Sequence, residues 1–234
     1  LAAEIVRTEL AAAPSRGVGG KAIIFCPTAN QAQFLSDLMN EMGVRNDPLH
    51  SRKSQAFRSR VSLAFRDARQ GVLVASDVAA RGVDYPDVSL VVQMGAPDSR
   101  EQYVHRTGRT GRAGKAGRAV LLLSDWEESS TLTAPKALLA GLPIAKEDVT
   151  TLTDLPQALS RATKAAQGVE ETTRQKAYQA WLGYYKAKMR TLKWKPETLV
   201  AFANSFALGA LGLQEVPVLQ AKTVGQMGLR GTPG

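Results

Sequence analysis

Residues 71–77 read GVLVASD, an unbroken apolar run that passes directly into a polar turn. A strand exposed on one face alternates apolar and polar residues, whereas a continuous apolar run is typical of a strand buried on both faces. Comparable runs occur at Lys21–Cys26 (KAIIFC), Ser89–Met94 (SLVVQM) and Arg118–Leu123 (RAVLLL). These runs predict the strands of a parallel sheet that is covered on both sides.

Helical patterns separate the strands, at Asn30–Met42, from about Ser54 to Ala68, and near Ser99–Thr107. Gly43 is expected to end the first of these helices. Strands that alternate with helices favour a doubly wound α/β lobe, predicted here to span residues 1–132. Ligands of such sheets meet the loops beyond the carboxyl ends of the strands, where we expect the functional residues to lie.

After about residue 130 the strand pattern disappears, and residues 133–234 are predicted to form an α-helical extension. Its clearest helix is Glu170–Leu192, in which Ala177, Trp181, Tyr185 and Met189 recur every four residues. Further helices are expected at Pro196–Leu211, Ala134–Ala140 and Leu155–Ala166, and the end from Gly225 is expected to fray.

The charge of the chain is +9, of which residues 1–132 contribute +3 and residues 133–234 contribute +6. This excess indicates either a solvated basic surface or a polyanionic partner. A single cysteine, Cys26, and two histidines predict neither a disulfide framework nor a metal site. No apolar run of about 18 residues occurs, so no membrane partner is expected. The chain starts at Leu1 rather than at a methionine, which suggests a piece of a longer protein.

The most specific stretch is HRTGRTGR at residues 105–112. Arginine- and glycine-rich segments also occur as solvated loops, but here Arg109 and Arg112 stand three residues apart beside glycines that allow a tight turn. Two guanidinium groups on such a loop can bind a polyphosphate through paired hydrogen bonds.

Three further stretches precede this one. Residues 76–84 (SDVAARGVD) follow the GVLVA strand, and Ser76 and Asp77 could also cap a short helix. Residues 23–28 (IIFCPT) form a strand that ends in a loop, and residues 50–58 (HSRKSQAFR) lead into a helix whose first amides, with Arg58, suit a phosphate group.

In their order along the chain, these four stretches resemble motifs of the second RecA-like lobe of DEAD-box RNA helicases, a group of superfamily 2 ATPases. The resemblance assigns Arg109 and Arg112 to catalysis as arginine fingers on the γ-phosphate of ATP, and Asp84 to the ATP ribose. It assigns closure between two lobes to Arg81 and His105. Contacts to the RNA backbone fall to a further set of residues, with Ser51 standing where the family usually has glycine: Thr28, Ser51, Arg58, Ser76 and Asp77.

The chain contains neither a G-x-x-x-x-G-K-[ST] segment nor an Asp-Glu-Ala-Asp sequence. Residues 17–21 (GVGGK) lack both the required spacing and the hydroxyl residue. The resemblance therefore implies that ATP and Mg²⁺ are held mainly by a first lobe absent from this sequence. Without that lobe the chain is expected not to hydrolyse ATP.

Residues 174–195 contain seven basic residues, five aromatic residues and no acidic ones. The segment is either an amphipathic helix with a buried aromatic face or a set of phosphate contacts with rings that stack on bases. The predicted RNA contacts here are Lys186, Lys188, Arg190, Lys193 and Trp194. Residues 180–185 (AWLGYY) and 226–231 (QMGLRG) resemble the extension of organellar intron-splicing DEAD-box proteins and their plant and algal relatives, which implies a mitochondrial or chloroplast location, with the nucleus or nucleolus as the alternative.

The predicted partners are thus RNA, duplex and single-stranded and bound with little sequence preference, and the first lobe. The predicted function is ATP-dependent local unwinding and remodelling of structured RNA. Two alternatives remain open from the residues: an autonomous duplex-RNA-binding module without catalysis, and a lobe of a DNA helicase.

Overall fold

The structure is a computed structural model that describes residues 1–13, 20–77, 84–151 and 154–233. One sheet of five parallel strands has the order β2-β3-β1-β4-β5. The strands are β1 (Gly20–Phe25), β2 (Asp47–Leu49), β3 (Gln70–Ala75), β4 (Val88–Met94) and β5 (Arg118–Leu122).

Helices surround the sheet and make up the rest of the regular structure. The lobe contains α1 (Ala2–Ala12), α2 (Ala29–Glu41), α3 (Gln55–Asp67) and α4 (Arg100–Thr107). The following segment contains α5 (Asp125–Glu128), a π-helix (Ser129–Thr133), a 3-10 helix (Val149–Thr151), α6 (Leu155–Gly168), α7 (Glu171–Leu192), α8 (Pro196–Ser205), a second π-helix (Phe206–Ala210) and α9 (Ala221–Gln226).

Both faces of β1, β3 and β4 are buried, as the unbroken apolar runs predict. The same prediction is wrong for β5, which lies at the edge of the sheet and is only partly buried. On one face, β1, β3 and β4 pack with α1 and α2, around Val6, Met39 and Leu90. On the other face the same strands pack against α3 through Val61 and Phe65. The predicted α/β class is confirmed.

Three of the lobe helices begin at side-chain caps. Thr28, Ser54 and Ser99 each accept a hydrogen bond from the backbone N–H three residues later, and so begin α2, α3 and α4. Helix α2 ends where predicted, because Gly43 adopts a left-handed conformation with φ of +76°.

Two expectations for the helical parts differ from the structure, and one helix is additional. Ala134–Ala140, predicted as a helix, forms turns that follow the π-helix. The predicted fraying from Gly225 is also wrong in part, because Leu229 is buried and its N–H donates to Val224 O at 3.0 Å, with Gly228 turning the chain at φ of +64°. Helix α1 was not predicted.

The extension has its own core, which continues into the lobe. Trp181 and Leu182 of α7 are buried together with Phe34 of α2, and Leu38 packs against them. Trp126 joins the same cluster although it precedes the predicted boundary between residues 1–132 and 133–234. That boundary stays a prediction, and the packing links the two parts across it.

Candidate functional site

Three of the four motif stretches follow the carboxyl ends of β1, β2 and β3 and therefore lie at the same end of the sheet. The N–H of Cys26 donates to Ala75 O at 2.8 Å, and the N–H of Ser76 donates to Leu49 O at 3.2 Å. The residues that follow these strands therefore lie side by side. This region, formed by residues 26–28, 50–58 and 76–77, is called the strand-end site below.

Two elements of the strand-end site begin as helices. Thr28 starts α2, its Oγ1 donating to Gln31 Oε1 at 2.9 Å and accepting from the Gln31 N–H. Arg58 lies in the first turns of α3, and Ser51 is exposed in the turn that precedes this helix. Helix amino ends carry N–H groups and partial positive charge, which favour an anion.

Three buried polar atoms of the strand-end site have no hydrogen-bond partner within the described part of the chain: Ser76 Oγ, Arg58 Nε and His50 Nδ1. The other ring nitrogen of His50, Nε2, lies 3.0 Å from Gln33 Oε1. Burial, followed by the charges of Lys53 and Arg52, lowers the pKa of His50 to about 4, so the ring is neutral at pH 7. Ser76 Oγ and Arg58 Nε can donate hydrogen bonds to the oxygen atoms of a ligand, whereas Nδ1 of the neutral His50 ring can only accept one, because its Nε2 carries the proton toward Gln33.

Asp77 has a different environment from its neighbour Ser76. Its carboxylate accepts hydrogen bonds from Arg106 at 2.7 Å and from Gln102 Nε2 at 2.8 Å. Arg106 is buried, and its guanidinium also lies over the Phe25 ring at 5.4 Å. The carboxylate thus neutralises Arg106 and fixes α4, while the predicted RNA contact of Asp77 stays a prediction.

Arg109 and Arg112 lie at the opposite end of the strands, where β4 begins. Between them, Thr110 Oγ1 donates to the carbonyl of Val88, the first residue of β4, at 2.5 Å. Arg112 forms an ion pair with Asp84, which precedes the same strand. The expectation that all functional residues lie at the carboxyl ends is wrong for these residues, because the segment after α4 returns to the amino end of β4.

The carboxyl end of α4 orients both guanidinium groups. Arg109 Nε donates to His105 O at 3.3 Å, and Arg112 Nε donates to Gly108 O at 2.6 Å. Burial, followed by the positive charge of Arg112, lowers the pKa of Arg109. The adjoining cavity is lined by the following residues: Tyr85, Asp87, Val88, Arg109, Arg112 and Lys115.

The cavity and Asp84 together are called the nucleotide-edge site below. It contains three cations that can bind phosphate oxygens, Arg109, Arg112 and Lys115. His105 is exposed on the last turn of α4, and its predicted part in lobe closure stays a prediction. Arg81, the other residue predicted to act in lobe closure, lies outside the described residues.

The basic side of α7 is divided between internal and external contacts. Lys188 donates to Asp98 at 2.9 Å and lies over the Tyr184 ring at 4.7 Å, so its charge is used to attach α7 to the lobe. Arg190 and Lys193 are exposed, and Lys186 is half-buried. Of the predicted phosphate contacts in α7, Lys188 is therefore the one that is already paired within the described chain.

Trp194, a predicted RNA contact, does not extend freely into solvent beyond α7. Its ring stacks on Tyr185 and Phe202, with centroids 5.5 Å and 5.0 Å away, and also contacts Trp126 at 5.7 Å. Lys193 adopts a left-handed conformation with φ of +55°, and the Trp194 N–H returns to Met189 O at 2.9 Å. This reversal folds the ring back onto the helix. Trp181 and Tyr185, which recur on one face of the predicted helix, are buried in the same cluster.

Neither a membrane span nor a metal cluster emerges from the described ranges. No helix within them is long and apolar enough to cross a bilayer. Nor do they contain a group of three or more His, Cys, Asp or Glu side chains that could hold an ion. Cys26 is buried, and desolvation raises the pKa of its thiol to about 12.

Sequence reasoning missed one group, the contacts that support the turn before β4. Lys21 is buried in β1 and donates to Arg66 O and Pro86 O. The Tyr85 hydroxyl pairs with Ser62 Oγ at 2.8 Å. A lysine inside an otherwise apolar strand is a visible signal, since lysine is almost never fully buried without a partner.

Comparisons with known proteins give the class of this fold. Residues 2–114 match the model of the helicase conserved C-terminal domain. The fold matches the structure of Mss116p, lacking its NTE and C-tail and bound to ssRNA and AMP-PNP, with a TM-score of 0.72 and 26% identity over 98% of this chain and 45% of that one. The domain 2 of Mss116p bound to an RNA duplex gives the same score at 22% identity, covering 98% and 89%, and supports the fold. The chain is therefore a RecA-like C-terminal helicase lobe.

Curated relatives identify the family. DEAD-box ATP-dependent RNA helicase 25 of Arabidopsis thaliana is 46% identical over 93% of this chain, and the mitochondrial ATP-dependent RNA helicase MSS116 of Phaeosphaeria nodorum is 44% identical over 92%. The chain belongs to the DEAD-box helicases as a C-terminal lobe. It spans 37% and 38% of the lengths of these two relatives.

Proposed function

We propose that this chain is the RNA-binding, ATP-responsive second lobe of a DEAD-box RNA helicase that locally unwinds and remodels structured RNA. The observation that carries the proposal is the separation of two cationic sites at opposite ends of the strands of one sheet. The carboxyl ends have unpaired buried polar atoms beside two helix amino ends, and the amino end of β4 has a pair of oriented arginines. A rigid sheet between them lets one lobe engage RNA and nucleotide together.

The strand-end site would bind the backbone of one RNA strand. The hydroxyls of Thr28 and Ser76 and the guanidinium of Arg58 suit phosphate and ribose oxygens, and Ser51 is exposed beside them. Such contacts position a strand without reading its bases, so little sequence preference is expected. Asp77 would act mainly through Arg106, since a carboxylate repels phosphate.

The nucleotide-edge site would complete an ATPase centre whose other half belongs to a first lobe. Arg109 and Arg112 would stabilise the charge that develops on the γ-phosphate, and Asp84 would accept from the ribose. Because Arg112 pairs with Asp84 in this structure, engagement of ATP would exchange that partner for phosphate oxygens. Phosphate binding by a P-loop and Mg²⁺ coordination are assigned to the first lobe, since the sequence has no P-loop segment.

The extension would add a second RNA contact. Lys186, Arg190 and Lys193 lie on or just beyond α7, on a side of the helix that solvent reaches, and phosphates bound there would release their counterions. Rigid attachment of α7 to the lobe would let this surface hold RNA at a fixed angle and so strain a duplex. The mitochondrial relative supports an organellar location.

RNA-stimulated ATP hydrolysis tests the proposal. The protein with both lobes should release phosphate faster when RNA is added, and Arg109→Ala or Arg112→Ala should lower kcat by about 10³-fold or more, the range of arginine fingers. Lys136→Met, a change at an exposed lysine of the extension, serves as the control. The chain alone should bind RNA without turnover.

Competition by duplex RNA and duplex DNA separates the alternatives. Preferential displacement by DNA would indicate a DNA helicase lobe. If the two-lobed protein binds duplex RNA while its ATPase does not respond to RNA, an autonomous binding module is the better description.

A further inference from the structure

The turn formed by residues 84–88 carries Asp84 toward the arginine pair, and its strongest support comes from inside the fold. Lys21, only 1% exposed, donates Nζ hydrogen bonds to Pro86 O at 3.2 Å and to Arg66 O at 2.8 Å. Among the described residues, the Lys21 ammonium forms no ion pair. One cation therefore joins this turn to the last turn of α3.

The aromatic side chain of the same turn makes a second connection to α3. The Tyr85 hydroxyl lies 2.8 Å from Ser62 Oγ, and its ring meets Phe65 edge-on at a centroid distance of 5.2 Å. The Lys21 ammonium lies 5.5 Å from the centre of the Phe65 ring. Lys21, Ser62 and Phe65 thus hold the inner side of the turn.

The outer side of the turn is held less firmly. Asp84 and Asp87 pair with Arg112 and Lys115, but both pairs are solvent-exposed, and exposed pairs contribute little to rigidity. Asp87 also adopts φ of +62°, a conformation that needs support from its surroundings. The buried contacts are therefore the firmer support of this turn.

Apolar packing alone does not explain a lysine at this position. Desolvation lowers the pKa of Lys21, while the charges of Asp87 and Asp67 act in the opposite direction. A methionine has similar length and fits apolar surroundings, but it cannot donate to two carbonyls on separate segments. The feature that lysine adds is the fixed distance between α3 and the turn.

We propose that Lys21 is a positioning residue for nucleotide binding, which fixes the Pro86 carbonyl and thereby the place of the Asp84 carboxylate. The inference rests on the proposed function, in which Asp84 meets the ATP ribose. It adds a residue from outside the four motif roles, and its effect passes through Asp84. Because α3 also carries Arg58, the same contact mechanically joins the strand-end site to the nucleotide edge.

A double-mutant cycle in the two-lobed protein tests this role. Lys21→Met and Asp84→Asn should each raise the KM for ATP, by about fivefold for Lys21→Met, with kcat changed less than about twofold, because a ribose contact acts on ground-state binding. If Lys21 acts through Asp84, the double variant should be no worse than the more severe single one. RNA affinity without nucleotide should be unchanged, and Lys136→Met is the matched control.

An unchanged KM in folded Lys21→Met, or fully multiplied effects in the double variant, would overturn the inference. If thermal melting shows that Lys21→Met does not fold, Lys21→Gln replaces it, since this shorter side chain keeps an N–H donor but cannot bridge both carbonyls. It should raise the KM by about twofold and again show no added effect with Asp84→Asn; normal KM would overturn the inference. A wild-type protein without RNA-stimulated ATPase refutes the proposed function itself, whereas an active wild type with unaffected variants refutes only the positioning role.

Discussion

Replacement of Trp194 by alanine should destabilise the protein rather than selectively weaken RNA binding. The ring contacts three aromatic partners at centroid distances of 5.0 to 5.7 Å and is half-buried. Full burial of a Trp is worth about 3–5 kcal/mol on truncation, and aromatic pairs add about 0.5–1.5 kcal/mol each. Partial exposure places the expected loss near the lower end, at about 3 kcal/mol.

Urea unfolding and thermal melting of the chain measure this loss. For a domain of this size, about 3 kcal/mol corresponds to a fall in Tm of roughly 6–12 °C. Trp194→Phe, which keeps a ring in the cluster, is the matched control and should lose about 1 kcal/mol. Titration with fluorescent single-stranded RNA below the melting transition gives the affinity. A Trp194→Ala protein of normal Tm whose RNA affinity falls tenfold would refute the packing assignment and restore a base-stacking role.

Three further outcomes are expected. Simultaneous replacement of Lys186, Arg190 and Lys193 by Gln should reduce the log–log salt slope of duplex binding by about 2–3, at roughly 0.9 for each phosphate that is no longer neutralised, and an unchanged slope would show that these cations do not touch RNA. Lys188→Gln should leave that slope nearly unaltered, because its partner is Asp98, and a reduction equal to that of the other cations would contradict the ion pair as its main role. The pKa of His50 is about 4 in the folded protein and 6.5 in the unfolded chain. Between pH 4 and 6.5 the unfolded chain therefore binds a proton that the folded protein does not. Stability should therefore fall as the pH drops from about 6.5 to 4, by at most about 3 kcal/mol, and His50→Gln should flatten this dependence in acid titrations of the melting temperature.

The α/β lobe was predictable because its signals are local. Unbroken apolar runs predict strands buried on both faces. Thr28, Ser54 and Ser99 mark helix starts because their side chains accept a hydrogen bond from the first turn of the helix. The motif residues after β1, β2 and β3 were also placed correctly at one edge, since parallel strands put their carboxyl ends together.

The remaining features depend on tertiary contacts that no local pattern contains. Helix α1 is short and rich in alanine, and it is stabilised by packing of Ile5 and Val6 against the sheet. The position of Trp194 depends on one left-handed residue, Lys193, which is an uncommon conformation for lysine. The arginine pair lies at the unexpected edge because the return of the chain after α4, rather than the end of a strand, places it there.

The aromatic cluster that joins Trp126 to α7 and α8 has a consequence for how this molecule can be divided. A protein cut after residue 132 would keep Phe34 and Trp126 but lose the rings and aliphatic side chains that cover them. The exposed patch would favour self-association, so the shortened lobe is a poor candidate for expression by itself. Heating the intact chain should instead give one calorimetric transition, in which lobe and extension melt together, because neither part has a closed hydrophobic surface without the other.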